Sequence, residues 1–439
     1  MKEGSNPTHF PDLVTVVEHL MFDRLSPVLL DSSTWIRQPA HTVWLKARGE
    51  DLLLFSRKGK VEGGFTGLDL KGNLPEGAKA EGTITARCAH AYAAAALKGI
   101  PGSTAFSQHA LDALRGPLHD TQHGGWIHYA DNPNERKQAY LHAFVALAAS
   151  STKVLGLPGA SELLESAIKC IETHFWSEEE GVMRESFAAD WSDEEDYRGA
   201  NSNMHSTEAF LALADVTGDT KWLHRALRIV TRFVHELAAS QGFAMPEHFD
   251  RNWTLLKDYH RDQPTHDLRP YGMTPGHFVE WSHLTLKLEA SLLRHGLDAP
   301  GWLLHDAQAL FETGIRTGWN ADGKPGLLYT VDWDHKPHVT ARIHWAQAEA
   351  LTAAILLYKR TGNPHYEHWY RTIWDYIDTT LVDRTYGSWL NEVTPEGAPS
   401  ETIYKGKADL YHAYQSTLAP LTPAAPSLIT ALRATQGDT

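Results

Sequence analysis

The sequence predicts an all-α protein, an (α/α)6 barrel of helical hairpins that are joined by short β connectors. Two observations lead to this fold. From residue 83 onward the apolar residues recur at helical spacing almost without interruption. The connectors between these helices repeat a glycine followed by a short alternating stretch, and no Pro/Gly/Ser-rich linker divides the chain. We therefore predict one domain over residues 1–439.

The repeated glycines give the length of the structural unit. They are spaced by 56, 61, 84 and 61 residues, at Gly125, Gly181, Gly242, Gly326 and Gly387. A unit of helix, short strand and helix at about sixty residues is typical of stacked helical hairpins. Six units and an irregular N-terminal region fit the chain. An open solenoid is the alternative, but polar residues at the starts of several helices favour a closed ring.

The elements follow in chain order from these patterns. Residues 11–31 have apolar positions three and four apart, which predicts an amphipathic helix. Alternating pieces at 42–45 and 52–55 and a glycine-rich run at 63–72 predict short strands and turns. The remaining helices are predicted near 83–99, 104–115, 137–152, 160–176, 203–216, 220–238, 276–294, 300–315, 341–360, 364–381, 405–418 and 425–434.

Composition narrows the function classes. The net charge of -14 and the absence of a basic stripe argue against nucleic acid as a partner. Two cysteines, Cys88 and Cys170, cannot form a disulfide framework or a zinc cluster. No apolar signal core or membrane-length run occurs, so we expect a cytoplasmic protein with no membrane partner. The 26 histidines and 15 tryptophans suit a polyhydroxylated ligand, but they also suit a large core.

One stretch, residues 269–281, has the features of a helix start that carries a catalytic base. Thr274 can cap the helix, and Pro275 suits its first position. His277 then lies in the first turn, where the helix dipole favours the neutral imidazole, and Glu280 follows on the same face. A buried structural histidine is the alternative interpretation.

Similar polar pairs begin other helices. Each pair is three residues apart, and in a closed ring the pairs would converge at one mouth: Arg87 with His90, His205 with Glu208, and His277 with Glu280. His412 lies near the start of the last predicted inner helix. The connectors add the acidic residues Glu185, Glu247, Asp332 and Glu392.

These residues alone leave four functions open. Scattered His and Glu could bind zinc, although no HExxH motif or close histidine pair is present. Paired carboxylates could hydrolyse a glycoside. Histidines acting as acid and base could transfer protons on an open-chain sugar. A solenoid that binds protein partners would instead show exposed apolar concave faces.

Three motifs resemble the N-acylglucosamine 2-epimerase superfamily. They are Tyr197-Arg-Gly-Ala-Asn-Ser-Asn-Met-His205 with Glu208-Ala-Phe, the stretch at 269–281, and Gly406-Lys-Ala-Asp-Leu-Tyr-His412. The similarity runs from about residue 87 to 415 and is strongest to the branch of aldose–ketose isomerases that act on mannose and sulfoquinovose. It implies an (α/α)6 barrel and an isomerisation of a monosaccharide without a metal or other cofactor.

The resemblance also implies roles for individual residues. His277 and His412 become the acid/base pair, and Glu280 is expected to orient His277. Arg87, Asn201, His205 and Glu280 are placed around the sugar. The expected wall of the pocket includes tryptophans, chosen by their position in the repeat: Trp345, Trp389 and Trp333.

The resemblance favours interconversion of D-mannose and D-fructose through a cis-enediol, with D-lyxose and D-xylulose as a second substrate pair. Members that bind a sulfonate have a polar residue, often Gln, at the position of Ala408, so sulfoquinovose is the less favoured substrate. A mannose 2-epimerase and an (α/α)6 glycoside hydrolase are the further alternatives. No ligand contact is assigned to residues 32–82, and a monomer or weak homo-oligomer is expected.

Overall fold

A computed structural model describes residues 31–435 of the chain. In this part of the chain the helices are α1 (Pro39–Ser56), α2 (Gly82–Leu97), α3 (Ser103–Arg115), α4 (Ala139–Leu155), α5 (Ala160–Cys170), α6 (Ala200–Thr217), α7 (Lys221–Val230), α8 (Pro275–Arg294), α9 (Trp302–Gly318), α10 (His344–Thr361), α11 (Pro364–Tyr376), α12 (Leu410–Leu418) and α13 (Leu428–Ala434). Helices α5, α7 and α11 continue into π-helical turns at Ile171–Phe175, Thr231–Ala238 and Ile377–Leu381. Short 3-10 turns lie at Trp35–Arg37, Arg57–Gly59 and Ala419–Leu421.

Six of these helices form a closed inner ring. Helices α2, α4, α6, α8, α10 and α12 pack against one another in that order, and α12 packs back against α2. The outer helices α3, α5, α7, α9 and α11 each pack on the inner helix that precedes them, while α1 packs on α12. Both ends of the described chain therefore build the sixth hairpin. The predicted (α/α)6 barrel is confirmed.

Short strands tie the hairpins together at one mouth of the ring. They are β1 (Lys60–Val61), β2 (Gly64–Phe65), β3 (Lys137–Gln138), β4 (Trp176–Ser177), β5 (Val182–Met183), β6 (Ser186–Phe187), β7 (Arg198–Gly199), β8 (His248–Phe249), β9 (Thr330–Val331), β10 (Pro337–Val339), β11 (Arg342–Ile343), β12 (Glu392–Val393) and β13 (Pro399–Ser400). All pairs are antiparallel: β1–β2, β3–β6, β4–β5, β7–β8, β9–β10 and β11–β12–β13.

In three repeats the strand that enters an inner helix pairs with a strand of the next connector. Strands β3, β7 and β11 directly precede α4, α6 and α10, and they pair with β6, β8 and β12. The first amide of each helix donates to the carbonyl of the residue before the partner strand, as Ala200 does to Glu247 at 3.0 Å. Each connector is thereby fixed beside the start of the preceding inner helix, where side chains can reach the ring axis.

The N-terminal part of the described chain differs from its prediction. Residues 42–45 and 52–55, predicted as strands, both lie within helix α1. Gly49 weakened the helical pattern there, because glycine is a poor helix former. A Cβ at this position would lie 2.9 Å from Oγ1 of Thr417 and 3.0 Å from the ring of Tyr414, so the glycine allows α1 to pack closely on α12.

The start of the last inner helix also differs from its prediction. Helix α12 begins at Leu410 rather than near 405, because Asp409 caps it by accepting from the amide of Tyr411 at 2.8 Å. The helix predicted over residues 11–31 lies outside the described residues except for Asp31. Within residues 31–435, no helix is both long and apolar enough to cross a membrane.

Candidate active site

A cavity of about 710 Å³ lies at the mouth where the inner helices begin. Its lining combines connector residues with residues near the starts of all six inner helices, because the connectors hold those starts at the same end of the ring. The cavity brings together seven residues singled out from the sequence: Arg87, Asn201, His205, His277, Glu280, Trp345 and His412. These residues come from five of the six inner helices, so the closed ring is what assembles them.

Two predicted wall residues lie elsewhere. Trp389 is buried in the core, where its ring meets Trp374 edge-on at a centroid distance of 6.1 Å, and it is not part of the cavity lining. Trp333 donates from Nε1 to the carbonyl of Lys257 at 2.8 Å in a connector. Position in the repeat was a poor guide for these tryptophans, because a ring at a connector can turn toward either the outer helices or the axis.

His277 is held by a carboxylate of the preceding connector. Its Nδ1 lies 2.9 Å from Oε2 of Glu247, and Oε1 of Glu247 accepts from the amide of Thr274 at 2.9 Å. Burial alone would raise the pKa of Glu247, but the charge and hydrogen bond of His277 outweigh it and lower that pKa. Glu247 therefore orients the His277 imidazole, in the role that the sequence had suggested for Glu280.

The helix cap expected from the sequence is formed differently. The side chain of Thr274 makes no capping hydrogen bond, and its Oγ1 is buried without a partner. Pro275 does occupy the first turn, as predicted. The stacking of His277 on Trp345, with ring centroids 5.0 Å apart and planes inclined by 26°, adds a second constraint on the imidazole. His277 thus has one fixed orientation at the start of α8.

His412 is held in the same way by a carboxylate from another helix. Its Nδ1 lies 2.6 Å from Oε1 of Glu349, which is on α10. The second oxygen of Glu349 lies 2.5 Å from Nε2 of His283. Burial acts to raise the pKa of Glu349, but the hydrogen bonds from His283 and His412 lower it well below its usual range. Glu349 is therefore an anion with two imidazole partners.

The two histidines share one arrangement. In both, Nδ1 contacts a buried carboxylate, which leaves Nε2 as the ring nitrogen available to a ligand in the cavity. A carboxylate on Nδ1 fixes the tautomer of an imidazole and stabilises its protonated form, which is what general acid/base catalysis requires. The Trp345 ring lies beside both, 5.0 Å from His277 and 6.1 Å from His412 between ring centroids.

Arg87 supplies a fixed positive charge at the cavity. Its Nη1 donates to Oδ2 of Asp409 at 3.0 Å, and its Nη2 donates to the hydroxyl of Tyr140 at 2.7 Å. Burial opposes its charge, but Tyr140 and Asp409 more than compensate and raise the pKa of Arg87. Asp409 in turn has its pKa lowered to about 2, because Arg87 and His412 outweigh the effect of burial. The guanidinium is charged at every relevant pH.

The surroundings of His205 and Glu280 favour their neutral forms beside this charge. Burial first, and then the charges of Arg87 and His412, lower the pKa of His205 well below its usual value. Burial and the nearby Glu349 and Glu208 raise the pKa of Glu280 well above its usual value. Nδ1 of His205 lies 3.8 Å from Oε1 of Glu280. A protonated Glu280 and a neutral His205 can both donate hydrogen bonds to sugar hydroxyls.

Within residues 31–435, one group of three side chains has the composition of a metal site: Glu280, Glu349 and His412. Its geometry is that of a hydrogen-bonded pair, because Nδ1 of His412 and Oε1 of Glu349 are only 2.6 Å apart. Ligand bonds of about 2.0–2.2 Å would separate two tetrahedral ligands by more than about 3 Å. We therefore assign these atoms to acid/base chemistry.

Several residues of the site were not found from the sequence. Glu247, which holds His277, was noted only as a connector acid, and Glu349, Tyr140 and His344 were not singled out. Glu349 lies five residues after His344 on α10, so the histidine-led start of that helix was the signal that could have found it. Part of the cavity wall comes from residues 52–81, including Phe55, Thr66 and Asp69, and the sequence assigned no contact to this segment.

Comparison with known proteins relates this geometry to a family. The model of the N-acylglucosamine 2-epimerase family (GlcNAc 2-epimerase) matches residues 63–416. A D-mannose isomerase from Pseudomonas cannabina pv. alisalensis is 54% identical over 402 residues, which cover 91% of this chain and 97% of the relative. A D-mannose isomerase from Thermobifida fusca is 48% identical over 408 residues, covering 91% and 98%.

A solved structure agrees with these relatives. A crystal structure of D-mannose isomerase superposes with a TM-score of 0.80 at 28% sequence identity. The match covers 88% of this chain and 99% of that one. The ring of six hairpins and nearly the whole described chain therefore have counterparts in a protein of that name.

Proposed function

This chain belongs to the N-acylglucosamine 2-epimerase family and is a sugar isomerase, and we propose that it interconverts D-mannose and D-fructose. The observation that supports this most directly is the pair of imidazoles on one cavity, His277 and His412, each with a buried carboxylate on Nδ1. Aldose–ketose isomerisation needs one group to open the pyranose ring and one to carry a proton between adjacent carbons.

In the proposed reaction His277 first assists ring opening by taking the proton of the anomeric hydroxyl and delivering it to the ring oxygen. Neutral His412 then takes the C2 proton through Nε2, and the C1 carbonyl oxygen becomes the negatively charged oxygen of a cis-enediolate. The His412 imidazolium returns the proton to C1, while the C2 hydroxyl passes its proton to the C1 oxygen and C2 becomes the ketone carbon. Glu349 stabilises the imidazolium through Nδ1 during this transfer.

The negative charge that develops on the enediolate oxygen needs stabilisation from groups that are already in place. Arg87 lines the cavity with a guanidinium held by Asp409 and Tyr140, so its position costs no rearrangement during the reaction. The protonated Glu280 and neutral His205 are the further donors we assign to the sugar hydroxyls. Asn201 adds an amide, since its Oδ1 is buried and has no partner.

The substrate we favour is a neutral aldose. Ala408 lines the cavity at the position that is polar in sulfonate-binding members, so a sulfoquinovose isomerase is the second choice. D-lyxose, which has the mannose configuration at C2 and C3, is a second proposed substrate. We further propose that the enzyme works in the cytoplasm, as a monomer or weak homo-oligomer, without a metal.

Two other reactions are alternatives. A 2-epimerase would pass through the same enediol and return the proton to the opposite face of C2. A glycoside hydrolase would need two free carboxylates, and here Glu280 and Glu349 are close, but both oxygens of Glu349 are bonded to histidines. That observation favours proton transfer on an open-chain sugar.

The experiment is incubation of the purified protein with mannose, glucose, lyxose and sulfoquinovose in heavy water, with products separated by chromatography. Fructose as the first product from mannose supports the proposal. Glucose as the first product would support epimerisation, and a sulfonated ketose formed faster than fructose would support the second choice. Sugar release from an aryl mannoside, without any isomerisation, would support a hydrolase.

A further inference from the structure

The carboxylate of Glu349 is hydrogen-bonded to two imidazoles, which lie on different helices. Oε1 faces Nδ1 of His412 at 2.6 Å, and Oε2 faces Nε2 of His283 at 2.5 Å. His412 lines the main cavity, whereas His283 lines a separate cavity of about 50 Å³ deeper in the ring. His283 is thus outside the lining of the main cavity, yet it is one hydrogen bond away from the group that holds His412.

His283, Glu349 and His412 form a hydrogen-bonded triad, and many other titratable groups surround it. The titratable and charged groups that face these three residues lie on five inner helices and one helix cap: Arg87 and His90 on α2, His205 and Glu208 on α6, His277, Glu280 and Lys287 on α8, His344 on α10, Tyr411 on α12, and Asp409 at the cap of α12. Tyr411 donates to Glu208. Together with Glu349 itself, four buried or half-buried carboxylates therefore share a few donors, and each lost donor changes where a proton resides.

The pKa values of two of these carboxylates are shifted in opposite directions. The pKa of Glu280 is raised by burial and by Glu349, while hydrogen bonds from His283 and His412 overcome burial and lower the pKa of Glu349. A neutral imidazole can donate through Nε2 only if Nδ1 carries no proton, and Nδ1 of His283 is buried without a partner. That nitrogen imposes no competing hydrogen bond, so the Nε2–H form is free to serve Glu349.

We propose that His283 is a positioning residue for the isomerisation: its Nε2–H holds the Glu349 carboxylate turned toward Nδ1 of His412. The inference rests on the proposed isomerase function and adds to it a residue that touches no substrate. Without this donor, Glu349 competes with Glu280 for a proton and its carboxylate is free to rotate. The His412 imidazolium then loses part of the negative charge that stabilises it, and the imidazole becomes a weaker base.

The test compares replacements of His283 that differ in where they place a donor. Glutamine can place its amide near the position of Nε2, whereas asparagine is one bond shorter and leucine has no donor. We expect His283→Leu and His283→Asn to lower kcat on D-mannose at least about tenfold with KM changed less than about threefold. The acid limb of kcat/KM should move to lower pH by about one unit. His283→Gln should keep kcat and the acid limb of kcat/KM close to those of the native enzyme.

His90 offers a matched control. It is also buried and lines the deeper cavity, but its Nδ1 contacts Oγ of Ser151 at 2.7 Å instead of Glu349. His90→Gln should leave the acid limb in place even if it lowers stability. If His283→Leu does not fold, the comparison of His283→Asn with His283→Gln alone decides whether His283 positions Glu349.

The outcomes separate this inference from the proposed function. If native enzyme isomerises mannose but the acid limb of every His283 variant stays in place or moves to higher pH, the positioning role is wrong. An equal loss in His283→Gln and His283→Asn would also contradict it. If the native enzyme does not isomerise mannose at all, the proposed function itself fails, whatever the His283 variants do.

Discussion

Nδ1 of His277, in the first turn of α8, lies 2.9 Å from Oε2 of Glu247, which is in the connector that leads into α8. The same carboxylate accepts the amide of Thr274 through its other oxygen. A residue of this connector thus fixes both the imidazole and the start of the helix that carries it. The orientation of His277 therefore depends on how the connector folds back on the start of α8.

The first prediction concerns that carboxylate. Glu247→Gln keeps the shape but removes the negative charge, so the His277 imidazolium loses its stabilising partner. We expect kcat on D-mannose to fall about 10- to 100-fold with little change in KM. Steady-state kinetics will measure this.

Glu172→Gln is the matched control, since Glu172 bonds Arg225 on an outer helix at 3.0 Å. It should leave kcat unchanged. Native turnover in Glu247→Gln would show that His277 does not need this partner.

The second prediction concerns the close approach of α8 and α10. A Cβ on Gly276 would lie 2.6 Å from the ring of Trp345 and 2.8 Å from Cβ of Ala346. Gly276→Ala should therefore destabilise the fold by about 1–3 kcal/mol and lower kcat/KM, because the Trp345 ring must move off His277.

Gly301→Ala is the control for this substitution, since a Cβ there meets nothing within 4 Å. Urea unfolding of both variants provides the measurement. Equal stability of the two variants would contradict the tight packing.

The third prediction separates two tryptophans that the sequence treated alike. Trp389→Ala should cost about 3–5 kcal/mol of unfolding free energy, since the ring is buried against Trp374. Below its melting temperature its KM for mannose should stay close to native.

Trp345→Ala should instead affect the kinetics on mannose more than the unfolding free energy, because its ring contacts His277 and lies beside His412. Thermal unfolding and kinetics on the same samples will compare the two. A raised KM in Trp389→Ala, at full folding, would return that residue to the substrate wall.

The fourth prediction concerns acid stability. The pKa of Asp409 is lowered from its ordinary value of 3.8 to about 2 in the folded protein, because the charges of Arg87 and His412 outweigh burial. A lowered folded pKa contributes stability that is present above about pH 4 and is lost as the pH falls through about 2.

Asp409→Asn, which can still cap α12, removes this contribution, about 2 kcal/mol at neutral pH. The difference in unfolding free energy between native and variant should therefore shrink as the pH falls from 4 to 2. A difference independent of pH in that range would contradict the lowered pKa. Urea titrations at several pH values will measure it.

Helical spacing and the glycine-led connectors were sufficient to predict the barrel, because each hairpin must bury an apolar face against its neighbours. The residues at helix starts, such as His205 and His277, were found because the connectors place all those starts at one mouth. The strands predicted at 42–45 and 52–55 were wrong, because both segments belong to helix α1. Gly49 is present in this helix because it allows close packing against Tyr414 and Thr417, although glycine is a poor helix former.

The carboxylates that hold His277 and His412 could not be predicted from the sequence. Glu247 and Glu349 meet His277 and His412 only in the folded chain, and many other acidic residues have similar local patterns. Spacing along one helix suggested Glu280 as the partner of His277, but a residue one turn away on the same helix is not the carboxylate that reaches Nδ1. Tertiary contacts, from a connector and from a neighbouring helix, decided these partners.

The central claim is that two histidines exchange protons with an open-chain aldose, and the most direct test is turnover of D-mannose by His277→Asn and His412→Asn in the presence of a strong chelator. Native enzyme should form D-fructose at an unchanged rate under these conditions. Each variant should fold normally by circular dichroism and lose at least about a thousandfold in kcat. Near-native turnover in either folded variant, or loss of native activity that zinc or manganese restores, would contradict the claim.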